Sequence, residues 1–365
     1  MPTSANLDVA GMRSFLNRKG LIVSIVVLVA ILLSAWFYFR PGTQNSQSER
    51  ETLLQQLPAD SSSVLYLDLK ELRSSAFLEQ LLAWAPKPPA DEEYTKFVQA
   101  TGFDYERDLD RVAISFSGTP KDPKTMAIAE GRFNQKKIEA YGGHLGTLKT
   151  ARGRTIYEVT LGNPKRTAYF TFPRSEEVAI CNDASCFFQP TGGNSGAEQW
   201  RDHFRRVAGT PAFGVLRQDS ALLSELSQQG PAGFRSPQLA TLLGQLQWVT
   251  IGAKPDGQSL RVVAEGESSN ETTIHQLNDM LSGLLILAQA GLDDPKASTH
   301  LDPKLRDAYQ TLLKTAEVQQ QDRGTSQSVR LIVEIAPPLL DWARGTMAAD
   351  PPEDTKPKAK MENRK

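Results

Sequence analysis

Residues 20–39, GLIVSIVVLVAILLSAWFYF, constrain what this chain can fold into more than any other stretch. They carry no charge, and their polar content is limited to Ser24 and Ser34 beside the Tyr38 hydroxyl. At about 1.5 Å per residue, a helix of this length covers roughly the 30 Å hydrocarbon core of a bilayer. A buried helix of a soluble domain would show a polar stripe on one side, and none is present. The stretch therefore reads as a transmembrane helix. A cleaved signal peptide would have a shorter apolar core followed by a small-x-small site, whereas this core ends in Trp36, Phe37, Tyr38 and Phe39 and then Arg40-Pro41. A lipid anchor would need a cysteine directly after the apolar run, and none stands there.

The flanks give the direction. Arg13, Arg18 and Lys19 precede the span against the single acid Asp8, and only Arg40 follows directly, so the positive-inside bias keeps the N-terminus in the cytoplasm. The four aromatic residues at the far end suit the headgroup level. The expected organisation is a cytoplasmic stub (1–19), a transmembrane helix (20–39), a polar spacer (40–52), a folded extracytoplasmic bulk and a disordered tail (347–365). The expected localisation is a single-pass inner (cytoplasmic) membrane protein, touching the lipid bilayer through residues 20–39. About 320 residues beyond the span exceed what one small core usually organises, so two domains are expected. The net charge of −1 gives no electrostatic footprint for a nucleic acid.

The folded part reads as α+β. Residues 63–69, SVLYLDL, alternate at the strand period and run into a helical pattern with Leu72, Phe77, Leu78, Leu81 and Leu82 on one side. Strands at 111–117 and 125–132 follow, then a helix capped by Asn134 and ended by Gly142-Gly143, then strands at 155–161, 166–172 and 177–181. From Ala212 the order begins again: AFGVLR answers SVLYLDL as strand before helix, 248–253 answers 112–117, and 260–267 answers 125–132. The last pair shares Ala129-Glu130-Gly131 and Ala264-Glu265-Gly266, and a helix starts behind each, the second with Ser268 and Glu271 as a capping box. The expectation is two tandem split-βαβ, ferredoxin-like repeats with antiparallel sheets, 53–208 and 209–346.

Both cysteines, Cys181 and Cys186, fall in VAICNDASCFF. Read as a hairpin whose turn is residues 182–185, the segment lets the two thiols face each other, and in an oxidising compartment they should be bonded. So short a loop removes only about 2 kcal/mol of unfolded-chain entropy, enough to pin a turn. In a reducing compartment they would be free thiols. A zinc or redox role lacks the C-x-x-C spacing and a second pair.

No phosphate loop, H-E-x-x-H helix or G-x-S-x-G elbow is present, and no cofactor is expected. His144, His203, His275 and His300 are scattered over turns and polar helix positions and read as solvated surface. Asp104, Glu106, Asp108 and Asp110 have calcium-loop density but lack the glycine and the final glutamate, with Leu109 and Ser115 in those places; Arg107 and Arg111 neutralise them. Asn270-Glu271-Thr272 is a glycosylation sequon, relevant only in a eukaryotic secretory host. Glu130 and Glu265 read as polar strand-end positions beside a glycine that tolerates the bend.

A basic stub, one span, a polar spacer, LPAD at residues 57–60 and then SSSVLYLDL, with the later AEG strand ends, resemble uncharacterised bacterial signal-anchored envelope proteins. The resemblance implies a location and no activity. The function expected is a membrane-anchored extracytoplasmic binding or scaffolding protein without catalysis, whose partner is an unidentified envelope protein or ligand. The alternatives are an extracytoplasmic hydrolase that pairs Glu130 with Glu265 between the repeats, and a subunit of a larger envelope assembly. For the last, the span offers only Ala30 and Ser34 as a small-xxx-small pair.

Overall fold

The computed structural model describes residues 46–84, 92–119, 122–151, 153–161, 166–189, 196–207, 209–220, 237–294 and 302–348. The expected stub (1–19), transmembrane helix (20–39) and residues 349–365 of the tail lie outside them. Among the described residues no helix is long and apolar enough to cross a membrane.

The strands are β1 (Ser63–Asp68), β2 (Leu109–Thr119), β3 (Asp122–Gly131), β4 (Gly146–Ala151), β5 (Arg154–Leu161), β6 (Arg166–Arg174), β7 (Glu177–Cys181), β8 (Ala212–Arg217), β9 (Trp248–Asp256), β10 (Ser259–Ser268), β11 (Glu317–Asp322) and β12 (Gln327–Ile335). All belong to one antiparallel sheet in the order β11-β12-β10-β9-β8-β1-β2-β3-β7-β6-β5-β4. The helices are α1 (Ser46–Gln55), α2 (Leu69–Leu72), α3 (Ala76–Trp84), α4 (Glu92–Thr101), α5 (Tyr105–Asp108), α6 (Gln135–Leu145), α7 (Gly196–Arg206), α8 (Pro237–Leu243), α9 (Glu271–Asp293), α10 (Pro303–Thr315) and α11 (Pro337–Ala348).

Helices cover both faces of the sheet, which explains why β1 and β8 are apolar on both sides. On the first face Val64, Tyr66, Ala113, Ile128, Ala179, Phe213 and Val215 meet Leu53, Leu54 and Leu57 from α1 and the turn behind it, and Trp200, Phe204 and Val207 from α7 and its end. Tyr66 stands in register with Ala113 on one neighbour and Phe213 on the other. The second face carries three separate cores. Leu72, Phe77, Leu78 and Leu81 pack on Ala212, Ala253 and Val262. Phe103 and Ile138 pack on Ala129, Tyr157 and Phe170. Leu239, Leu242 and Leu246 pack with Ile274, Leu277 and Val329.

Several expectations change. The spacer 40–52 is shortened, because residues 46–55 form α1 and Arg50 is buried with its guanidinium 5.0 Å from the Tyr66 ring centroid, so the chain joins the core before Leu53. The ferredoxin-like arrangement is corrected too. A split βαβ interleaves its strands, whereas here β1, β2 and β3 are successive neighbours and so are β8, β9 and β10. Residues 53–208 and 209–346 do not carry a sheet each, since β1 pairs directly with β8. The helix after Asn134 runs through Gly142-Gly143 to Leu145, and the chain then forms β4, which the exposed sequence GTLKTA does not announce. The polar strand β11, EVQQQD, is likewise silent in the sequence. Ser268 is not a cap: it is still laddered to Gln327, and Asn270 caps α9 by accepting from the Thr273 N–H.

The two repeated glycines answer close approach more than bending. A Cβ on Gly131 would lie 2.4 Å from the Asp108 carbonyl oxygen, and one on Gly266 would lie 2.7 Å from Leu246 Cδ1. Each packs the strand end against the element that crosses it.

Candidate functional site

The first face of the sheet carries the densest polar chemistry among the described residues, in two buried charged groups. The first is a cross-strand row. Asp68 on β1 is laddered to Arg111 on β2, and Arg111 to Glu130 on β3, which stands opposite Glu177 on β7. Arg111 donates from Nε to Asp68 Oδ2 (3.1 Å) and from Nη1 to Glu130 Oε2 (3.0 Å). Asp68 also accepts from the Tyr66 hydroxyl (3.4 Å) and caps α2 through the Glu71 N–H (2.8 Å). Glu177, fully buried, accepts from Gln56 Nε2 at 3.0 Å. The row thus ties four strands to the turn behind α1.

The second group surrounds Glu265 on β10, whose side chain is 5% exposed. Arg323 donates through Nε (3.0 Å) and Nη2 (2.6 Å) to Oε1, and Arg330 through Nε (3.2 Å) and Nη2 (2.8 Å) to Oε2. Arg206, from the end of α7, lies 3.8 Å from Oε1 and pairs with Glu267, which also accepts from the Ser326 hydroxyl. Burial by itself would raise both carboxyls; the guanidinium hydrogen bonds outweigh it and hold Glu265 and Glu267 below the usual carboxylate range. Both stay ionised, and Glu265 has no proton to give as a general acid.

His203 belongs to this group, which corrects its reading as solvated surface. The residue is buried, its ring lies 4.3 Å from that of Trp248, and Nδ1 is 3.5 Å from Thr250 Oγ1. Burial, reinforced by the Arg206 charge, pulls it down to about 4, against the opposing pull of Glu267, Glu265 and Asp202. A histidine held neutral in the fold stabilises the protein fully above its unfolded value of 6.5, and the contribution is lost as pH falls towards 4. Between pH 6.5 and 4.5, stability should drop by roughly 2 kcal/mol from this residue. Denaturant titrations should show the slope in the wild type and its loss in His203→Gln.

Glu130 and Glu265 are not brought together. Five strand spacings separate β3 from β10, about 24 Å along the sheet, where paired catalytic carboxylates stand within about 10 Å. Glu130 is instead held by Arg111, and Glu265 by Arg323 and Arg330 with Arg206 beside them. Asp104, Asp108 and Asp110 are likewise engaged: Asp104 caps α5 through the Glu106 N–H, Asp108 pairs with Arg107 and Arg132, and Asp110 with Arg73. His144 and His275 are exposed, and His300 lies outside the described residues. Cys181 and Cys186 form a disulfide with Cα atoms 6.5 Å apart, but not across a hairpin: Ala184–Phe188 is a 3-10 turn, so the bond closes the end of β7 onto that turn.

Sequence reasoning missed Arg206, Arg323 and Arg330. One signal was available for Arg330. The alternation in QSVRLIVEI puts it on the same side as Ser328 in a strand whose other side is apolar, but which carboxylate it meets depends on the β10–β12 register.

No family model matches this chain, and no curated protein does. Among solved structures it is similar to three crystal forms of TP0453. Forms I and III are each 10% identical and cover 80% of this chain and 96% and 97% of that one, with TM-scores of 0.40 and 0.41. Form IV is 8% identical and covers 82% of this chain and 98% of that one, with a TM-score of 0.40. Nothing is carried over from a likeness of this degree.

Proposed function

We propose that this chain is a membrane-anchored extracytoplasmic binding or scaffolding protein in which residues 20–39 span the bilayer and the twelve-stranded sheet stands outside the cytoplasmic membrane. The observation that supports it best is the position of α1, which packs into the first core and leaves only residues 40–45 between the apolar stretch and the fold. Six extended residues reach at most about 20 Å, so the domain is held against the lipid surface and turns one side to the compartment beyond.

The charged groups favour binding over catalysis. Glu265 is ionised and held by Arg323 and Arg330, Glu267 is ionised and held by Arg206 and the Ser326 hydroxyl, and Glu130 is paired with Arg111, so these carboxylates hold strands and helices in place. The working surface is then the outer side of the covering helices and the edges of the sheet. We read the chain as a duplication in which β8, β9 and β10 answer β1, β2 and β3. The matching positions of Glu130 and Glu265 support that reading, as does the run of each half outward from the β1–β8 seam.

The test uses the full-length protein in lipid nanodiscs. It should turn over no generic ester, glycoside or peptide substrate, and it should retain one defined envelope protein through its extracytoplasmic surface. Turnover abolished by Glu130→Gln or Glu265→Gln would contradict the reading and favour a hydrolase.

A further inference from the structure

The two edges of the sheet are finished differently. At one end β11 carries Glu317 and Asp322 at its tips, and α9 packs along it. At the other end β4 has β5 as its one strand neighbour, so its outer N–H and C=O groups have no strand partner among the described residues. Natural edges are blunted by short strands, proline, bulges, several charged side chains or a covering helix or loop. β4 has no proline, and its six residues pair with β5 in unbroken register. Its single charge, Lys149, reaches back over the sheet to Glu158 on β5 and lies 5.9 Å from the Tyr169 ring on β6. Beside it Leu148 is 57% exposed and Leu145 is 41% exposed.

The charge around this edge is one-sided. Among the described residues of β4, β5 and the start of β6, Lys149, Arg154 and Arg166 stand against the single acid Glu158, in a chain whose net charge is −1. Arg154 and Arg166 are exposed. We propose that β4 is a docking edge that takes up an extended, acidic segment of a partner protein as a thirteenth strand. Main-chain hydrogen bonds supply the pairing, an apolar partner side chain covers Leu148, and carboxylates on the partner meet the basic residues of the β4–β6 hairpins. The proposal rests on the binding reading above for its purpose and on the β4 edge for its geometry.

The test places full-length protein in phosphatidylcholine nanodiscs and titrates a fluorescent ten-residue peptide that alternates valine and glutamate, with a valine–lysine peptide as control. The acidic peptide should bind, slow hydrogen exchange at residues 146–151, and weaken as salt rises. The double substitution Leu148→Glu/Arg154→Glu, both exposed positions, should weaken binding about tenfold or more with the thermal midpoint unchanged. Unchanged exchange across β4 in the wild type, or equal binding of the lysine peptide, would overturn the proposal whether or not the variant folds. Binding to phosphatidylglycerol vesicles that the double variant loses, without protection of β4, would make the hairpins a lipid footing and overturn it as well. Retention of an envelope protein through another surface, with β4 unprotected, would remove the strand proposal and leave the binding reading standing.

Discussion

Glu265→Ala is expected to destabilise the protein by about 3 kcal/mol, the low end of what breaking a buried ion pair costs. The substitution removes the anion that neutralises Arg323 and Arg330 and leaves Arg206 with Glu267 alone. The three guanidinium side chains are 22–26% exposed, so water relieves part of the penalty, which is why the low end applies. Glu130→Ala is the matched control. Arg111 keeps Asp68 at 3.1 Å after that change, so the loss should be nearer 1 kcal/mol. Urea denaturation midpoints of the two variants at pH 7 check both values, and equal losses would show that the arginines around Glu265 find solvent without difficulty.

Tyr66→Ala should cost about 3 to 5 kcal/mol, as deletion of a fully enclosed aromatic ring does. Tyr66 is 0% exposed, its ring is 5.0 Å from that of Phe213, and Arg50 of α1 lies over it. The cavity opens beneath α1, so residues 46–57 should become susceptible to protease before the rest of the sheet. Tyr66→Phe removes the hydroxyl's hydrogen bonds with Asp68 and Arg50 and should cost about 1 to 2 kcal/mol, less than the loss of the ring. Burial, with the Asp68 charge behind it, pushes the Tyr66 hydroxyl far up, so this residue adds no pH dependence below the alkaline range.

Strands and helices with a clear apolar rhythm were legible in the sequence. SVLYLD, AFGVLR and the helix behind Asn134 each carry a local signal, a period or a cap, that tertiary contacts reinforce. What escaped was whatever depends on a partner distant along the chain. β4 and β11 have too little apolar character to read as strands, and they exist because β5 and β12 offer them a ladder. His203 sits in a helix crowded with charged residues, and only the approach of Trp248 and Thr250 from β9 makes its position interior. The strand order was illegible for the same reason: element sequence alone does not distinguish interleaved neighbours from successive ones. The carboxylate pair suggested by the two AEG segments fails on topology, since like positions in two halves joined at their first strands lie far out on opposite wings of the sheet.

The anchored, outward-facing arrangement is tested most directly by fusing alkaline phosphatase behind Lys365 of the full-length chain in a bacterial host and assaying whole cells and membranes. The account predicts phosphatase activity on the outer side of the cytoplasmic membrane, sedimenting with the membrane fraction until detergent is added. A fusion protein present in full yet inactive, with a cytosolic reporter active in the same position, would contradict it, as would a product that stays in solution without detergent.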